Sequence, residues 1–199
     1  MARRTVTRRL LLTILPAALC LAACAGGGGE VDNEESARLA YLGFNRAIDR
    51  AIKLGFDGFN AASNANIPEQ SEPGELGGLM IIGGQVDAGA SNNKGMRLKL
   101  TVQDNYIDGA VEELAITYNG GPADLDLSMQ GLPNADLSGT LVGSFTMSGD
   151  LTGAVTLDLA ITGKTEEGPD GDIRRQPQTV RVVGTATSAY GVFNVDLSL

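Results

Sequence analysis

Met96-Arg97-Leu98-Lys99-Leu100-Thr101-Val102-Gln103 alternates strictly between apolar and polar side chains. Successive side chains of an extended chain point to opposite faces, so this stretch reads as a β-strand with one apolar face. The same period continues outward on both sides. Leu79 to Val86 precedes it, and Leu114, Ile116 and Tyr118 follow, then Leu125, Leu127 and Met129. Further runs carry Leu137, Leu141, Phe145 and Met147, then Leu151, Val155, Leu157, Leu159 and Ile161. A run around Val180 and Val182 and a last one through Phe193, Val195, Leu197 and Leu199 bring the count to about eight strands.

Turn-forming residues occupy the gaps: Asn92-Asn93-Lys94-Gly95, Asp108-Gly109, Asn119-Gly120-Gly121, Pro133-Asn134, Gly149-Asp150, Pro169-Asp170-Gly171 and Tyr190-Gly191. Connections this short join antiparallel neighbours, so residues 79–199 are expected to form a meander.

Upstream the period is 3.6. Between residues 34 and 62, Ala37, Tyr41, Phe44, Ile48, Ala51, Ile52, Gly55, Phe56 and Phe59 share one stripe, and Arg46, Asp49, Arg50, Lys53 and Asp57 lie opposite. That pattern predicts one amphipathic helix packed on a core. Asp32 suits its N-cap and Glu35 the third helical position, a capping-box arrangement. Residues 63–78 contain Asn64, Asn66, Pro68, Pro73 and Gly77-Gly78 and read as a connecting loop.

Eight strands spaced about 4.8 Å apart make a flat sheet roughly 38 Å wide, whereas a helix is only about 10 Å across. The sheet must curl. Full closure would turn an outer wall of Thr, Ser and Asp toward the helix stripe, so the helix belongs on the apolar face. Gly139, Gly143, Gly153 and Gly184 stand among inward-facing positions, where a missing side chain permits bending or close approach of the helix. The expected fold is therefore α+β and mostly β: an N-terminal amphipathic helix on a curved antiparallel meander, a half-barrel or partly open barrel.

The 199 residues contain no His. This removes the usual general base and the commonest metal ligand. A Ser-Lys nucleophile would need one of Lys53, Lys94, Lys99 and Lys164, and none stands in a suggestive motif. Glu112-Glu113 are adjacent strand residues and point apart. Glu166, Glu167, Asp170 and Asp172 crowd a glycine-rich stretch whose spacing does not match an EF-hand loop, and they read as a solvated hairpin tip. We assign no catalytic residue, metal ligand or cofactor, and the chain reads as a non-enzyme.

Residues 1–23 combine Arg3, Arg4, Arg8 and Arg9 with an apolar run from Leu10 to Ala23, too short to span a bilayer as a helix. This is the pattern of an export signal. Its end, Leu21-Ala22-Ala23-Cys24, resembles the lipobox of bacterial lipoproteins, which implies lipidation of Cys24 as the first mature residue. Residues 24–33, glycine-rich, would then form a flexible tether and residues 34–199 a single domain. Ala25 after the cysteine implies sorting to the outer membrane in a Gram-negative cell. Loss of the four arginines takes the formal charge from −9 to −13. Such a surface repels nucleic acid.

In its order of elements the chain also resembles the lipid-carrying lipoproteins and chaperones built as helix-covered half-barrels. That resemblance implies an apolar ligand such as a lipid in the trough of the sheet, lined by Leu100, Ile116, Leu141, Phe145, Leu157 and Phe193. The expected function is that of a membrane-anchored envelope lipoprotein carrying such a ligand. The alternative is a structural or accessory lipoprotein that binds another envelope protein, for which an exposed edge strand near Leu79 to Val86 would serve by strand addition.

Overall fold

The computed structural model describes residues 33–109 and 114–199. The signal segment, Cys24, the tether, Asp32 and the Glu112-Glu113 pair lie outside the described residues. Two helices come first, α1 (Asn33–Leu42) and α2 (Asn45–Ala61). The strands are β1 (Asn66–Pro73), β2 (Gly77–Val86), β3 (Asn93–Ile107), β4 (Ile116–Gln130), β5 (Asp136–Gly149), β6 (Gly153–Glu167), β7 (Ile173–Arg175), β8 (Arg181–Ser188) and β9 (Gly191–Ser198). They pair antiparallel in the order β1-β2-β3-β4-β5-β6-β8-β9, and β7 is a short flap hydrogen-bonded to the far end of β6.

Alternation explains the strands. Met96, Leu98, Leu100 and Val102 are all buried, as are Leu125, Leu127 and Met129 on β4 and Val155, Leu157, Leu159 and Ile161 on β6. Their neighbours face solvent or are partly covered, so these strands present one apolar face. The sheet does not close: among the described residues β1 pairs only with β2, and β9 only with β8. The helices cover the concave face. α2 packs on β1, β2, β3 and β7, and α1 on β8 and β9, so together they bridge the trough between its two edges. The architecture is the expected one, a mostly β, α+β half-barrel with an N-terminal helical element on an open antiparallel sheet.

Local details differ from the reading of the sequence. The helix is broken at Gly43-Phe44, where the Phe44 amide bonds to the Tyr41 carbonyl at 2.7 Å instead of continuing the α-helical ladder. Residues 66–73, expected in a loop, form edge strand β1, whose only buried side chain is Ile67. Prolines are tolerated there because an edge strand can leave its outer amides unbonded. It is therefore β1, not Leu79 to Val86, that forms this edge.

Asn119-Gly120-Gly121 does not turn the chain. It lies within β4 at irregularities in the register with both β3 and β5, with Gly120 and Gly121 at φ of +117° and +103°. Two expected short strands are thus one long, bulged strand. The inward glycines serve strand contacts rather than helix contacts. A Cβ on Gly143 would strike Ala123, and one on Gly139 would strike the Asp126 carbonyl, both on β4. Gly153, the first residue of β6, is exposed with open space around it.

Candidate functional site

The trough is the natural place to look for a binding site, and α2 packs into it along β1, β2 and β3. Ile48, Ala51, Ile52 and Phe56 recur at helical spacing and are buried against the sheet. At the break between the helices Phe44 packs on the aromatic side chains of two paired strands. Its ring centroid lies 4.3 Å from that of Tyr118 on β4 and 4.8 Å from that of Phe145 on β5. Tyr41 on α1 stacks on Phe193 of β9 at 5.3 Å. Aromatic contacts therefore run from the middle of the sheet to its β9 edge. Each such pair adds about 0.5–1.5 kcal/mol to the burial of its rings.

The six residues proposed to line a ligand trough all join this core. Leu100, Ile116, Leu141, Phe145 and Leu157 are between 0% and 3% exposed, and Phe193 is partly buried beneath Tyr41. They share the concave side, but helix and strand side chains already occupy the space between them. Three clefts lie elsewhere on the described residues. One of about 290 Å³ lies between the end of α2 and the β2–β3 connection, near Phe59, Asn64 and Lys94. Another of about 340 Å³, beside Phe56, Lys53 and Arg175, separates α2 from β7. A third, about 390 Å³, is a shallow groove over β3, β4 and β5. None is lined by any of the six.

One polar cluster escaped the reading of the sequence. The Asp108 side chain is fully buried, and Arg50 of α2 reaches it with Nη2 2.9 Å from Oδ1. Arg50 Nη1 also bonds Glu72 of β1 at 2.5 Å and the Pro73 carbonyl at 3.1 Å. The backbone amide of Glu75 donates to the same Asp108 oxygen at 3.4 Å. Burial disfavours the Arg50 charge, but the bonds to Asp108 and the nearby carboxylates outweigh it and hold the guanidinium pKa above its ordinary value. The cluster ties α2 to the β1–β2 turn and to the end of β3. Only the 3.6-residue stripe could have hinted at it, and that placed Arg50 on the solvent side.

A second tether holds β7. Asn60 Nδ2 donates to the Ile173 carbonyl at 2.8 Å, the Ile173 amide returns a bond to Asn60 Oδ1 at 3.0 Å, and Arg175 pairs with Asp49 at 2.6 Å. In the acidic stretch 166–172, Glu166 is held by Arg174 at 2.7 Å. Among the described residues no group of three or more Asp, Glu or Cys side chains is placed to hold a metal ion.

Burial raises the pKa of the hydroxyls of Tyr41, Tyr106 and Tyr118 well above the usual tyrosine value. Tyr118 donates to the Ala40 carbonyl, whereas the Tyr41 and Tyr106 hydroxyls make no hydrogen bond among the described residues. Comparison with protein-family models, with curated proteins and with solved structures gave no match.

Proposed function

We propose that the protein is a non-enzymatic, lipid-anchored domain of the cell envelope that works by surface contact with another envelope protein. The anchor rests on Leu21-Ala22-Ala23-Cys24 after a basic, apolar leader, and outer-membrane sorting on Ala25. Permanent attachment needs more than one acyl chain. A triacylated cysteine would meet that need.

The observation that favours a protein partner over a carried lipid is the occupied concave face. An acyl chain gains about 0.8 kcal/mol for each buried CH₂, but only where space exists to receive it. Here Phe44, Ile48, Ile52 and Phe56 already fill the positions in which such a chain would be buried. What remains free is surface: the exposed sheet face and the sheet edges.

Fractionation of cells expressing Cys24→Ala tests the anchor. The variant should move to the soluble fraction, and retention on membranes after a carbonate wash would remove the anchor from the proposal. Native mass spectrometry of the protein released from its membrane tests the mode of action. A domain mass without added lipid beyond the anchor is expected, together with discrete protein adducts after photo-crosslinking in cells. A stoichiometric co-purifying lipid would restore the carrier reading.

A further inference from the structure

The two edges of the half-barrel are built differently. β1 carries Pro68 and Pro73, the carboxylates Glu69 and Glu72, and a register irregularity between Ile67 and Gln70. Prolines, charges and bulges are the devices that stop an edge from accepting another strand. β9 has neither a proline nor a bulge. Its register with β8 runs unbroken from Arg181↔Ser198 to Ser188↔Gly191, and it contains neither Pro nor Lys. Its one charge, Asp196, is neutralised by Arg181, with Nε 2.9 Å and Nη2 2.7 Å from the two carboxylate oxygens. In a strongly acidic chain this edge is locally neutral.

The register also fixes which backbone groups are free. The Leu199 amide bonds to the Val180 carbonyl, so alternate residues inward from there (Leu197, Val195, Phe193) turn their amides and carbonyls to β8. Val192, Asn194, Asp196 and Ser198 turn theirs outward, where β9 has no paired strand among the described residues. Val192, 56% exposed, is among the few large apolar side chains that face solvent.

We propose that β9 pairs antiparallel with β9 of a second copy of this chain, forming a two-fold dimer centred on Val195. In that register Asn194 lies opposite the second copy's Asp196, and the reverse pair repeats it, so an amide meets a carboxylate twice. Phe193 lies opposite Leu197 and Val195 opposite itself on the concave side, where all three are already apolar and partly or fully buried. Moving the centre to Asp196 would set two carboxylates face to face, which is unfavourable. Moving it to Asn194 would set Val192 against Asp196. Pairing β9 with β1 of another copy would extend without closing, and the blunted β1 edge opposes it. The dimer does not depend on the anchor, and it goes beyond the proposed contact with another protein.

Sedimentation equilibrium of the full chain in density-matched detergent, up to about 100 μM, tests the proposal. A reversible monomer–dimer equilibrium is expected. Asn194→Pro removes an outward amide without touching the β8 ladder, so it should abolish the dimer while circular dichroism stays unchanged. Asn194→Asp sets like charges opposite each other twice and should raise the dissociation constant at least about tenfold. The double variant Asn194→Asp/Asp196→Asn restores an amide–carboxylate pair and should recover most of the loss. A wild-type chain that stays monomeric, or a dimer that survives Asn194→Pro, overturns the proposal. Failure of the double variant to recover overturns the register centred on Val195.

Discussion

The Tyr118 hydroxyl donates a 2.9 Å hydrogen bond to the carbonyl oxygen of Ala40, across 78 residues of sequence. In an unbroken helix that carbonyl would accept from the amide of Phe44, but the Phe44 amide bonds to Tyr41 instead. Tyr118 thus takes over an acceptor that the break releases. The space for its ring comes from Gly43, where a Cβ would sit 2.5 Å from Tyr118 Cε2. Break, glycine and tyrosine form one unit, and that unit lets Phe44 turn into the sheet.

Tyr118→Phe should therefore lower stability by about 1–3 kcal/mol, because it leaves a buried carbonyl without its partner and changes little else. Gly43→Ala tests the same unit from the other side. In an ordinary helix this change stabilises by roughly 0.5–1 kcal/mol, whereas here overpacking against the Tyr118 ring should cost about 1–3 kcal/mol. Urea unfolding of both variants gives the signs, and a stabilised Gly43→Ala would show that the ring does not need the gap.

Ion pairs should divide sharply by burial. Asp108→Ala strands the Arg50 guanidinium beside an apolar core, with Glu72 as its remaining carboxylate and the Pro73 carbonyl as a further acceptor. A loss of about 2–4 kcal/mol is expected, at the lower end of what breaking a buried pair costs because Arg50 keeps one carboxylate. Arg181→Ala removes a fully exposed pair of equally good geometry and should leave the midpoint of denaturation unchanged within error. Equal effects of the two would contradict the placement of Asp108.

The three raised tyrosines make a prediction at high pH. A pKa raised on folding means that the folded state holds its proton more tightly, so the stabilisation is complete below about pH 10, the unfolded value. It is lost as pH rises beyond that point, because only the unfolded chain releases the protons. Three such groups cost roughly 4 kcal/mol per pH unit, enough to unfold a domain of ordinary stability within a few units. Ultraviolet titration should show these phenolates appearing together with loss of the strand signal in circular dichroism. Smooth ionisation with the sheet intact would mean that water reaches the hydroxyls.

The strands were legible where burial is one-sided and continuous. From Met96 to Val102 on β3 and from Val155 to Ile161 on β6 every second residue is buried, and no partner is needed to see it. β1 was invisible because it buries only Ile67 and carries two prolines, a composition shared by loops and edge strands. Gly43 gave no sign of the helix break, since the apolar stripe runs through Phe44 as if the helix continued, and the ring that needs the gap lies on β4. The inward side of the six trough residues could be read from the alternation. Whether that side was filled could not, because the volume under α1 and α2 depends on how the edges curl.

Gly120-Gly121 carries the same ambiguity, since two glycines after an Asn signal a hairpin turn and a bulge equally well. Neighbouring strands decide it: β3 and β5 run past this point on either side and carry β4 onward to Gln130. Gly121 is the more constrained of the two. Its φ of +103° lies where side chains are strained, and a Cβ would sit 2.5 Å from the Leu100 carbonyl on β3. Gly121→Ala should therefore cost at least about 2 kcal/mol, from strain and from displaced strand backbone together. Gly131→Ala is the control, a turn glycine at φ +89° with open space around it, where strain alone of about 1 kcal/mol is expected. Thermal unfolding of the two variants separates the contributions, and equal losses would place the bulge glycine away from β3.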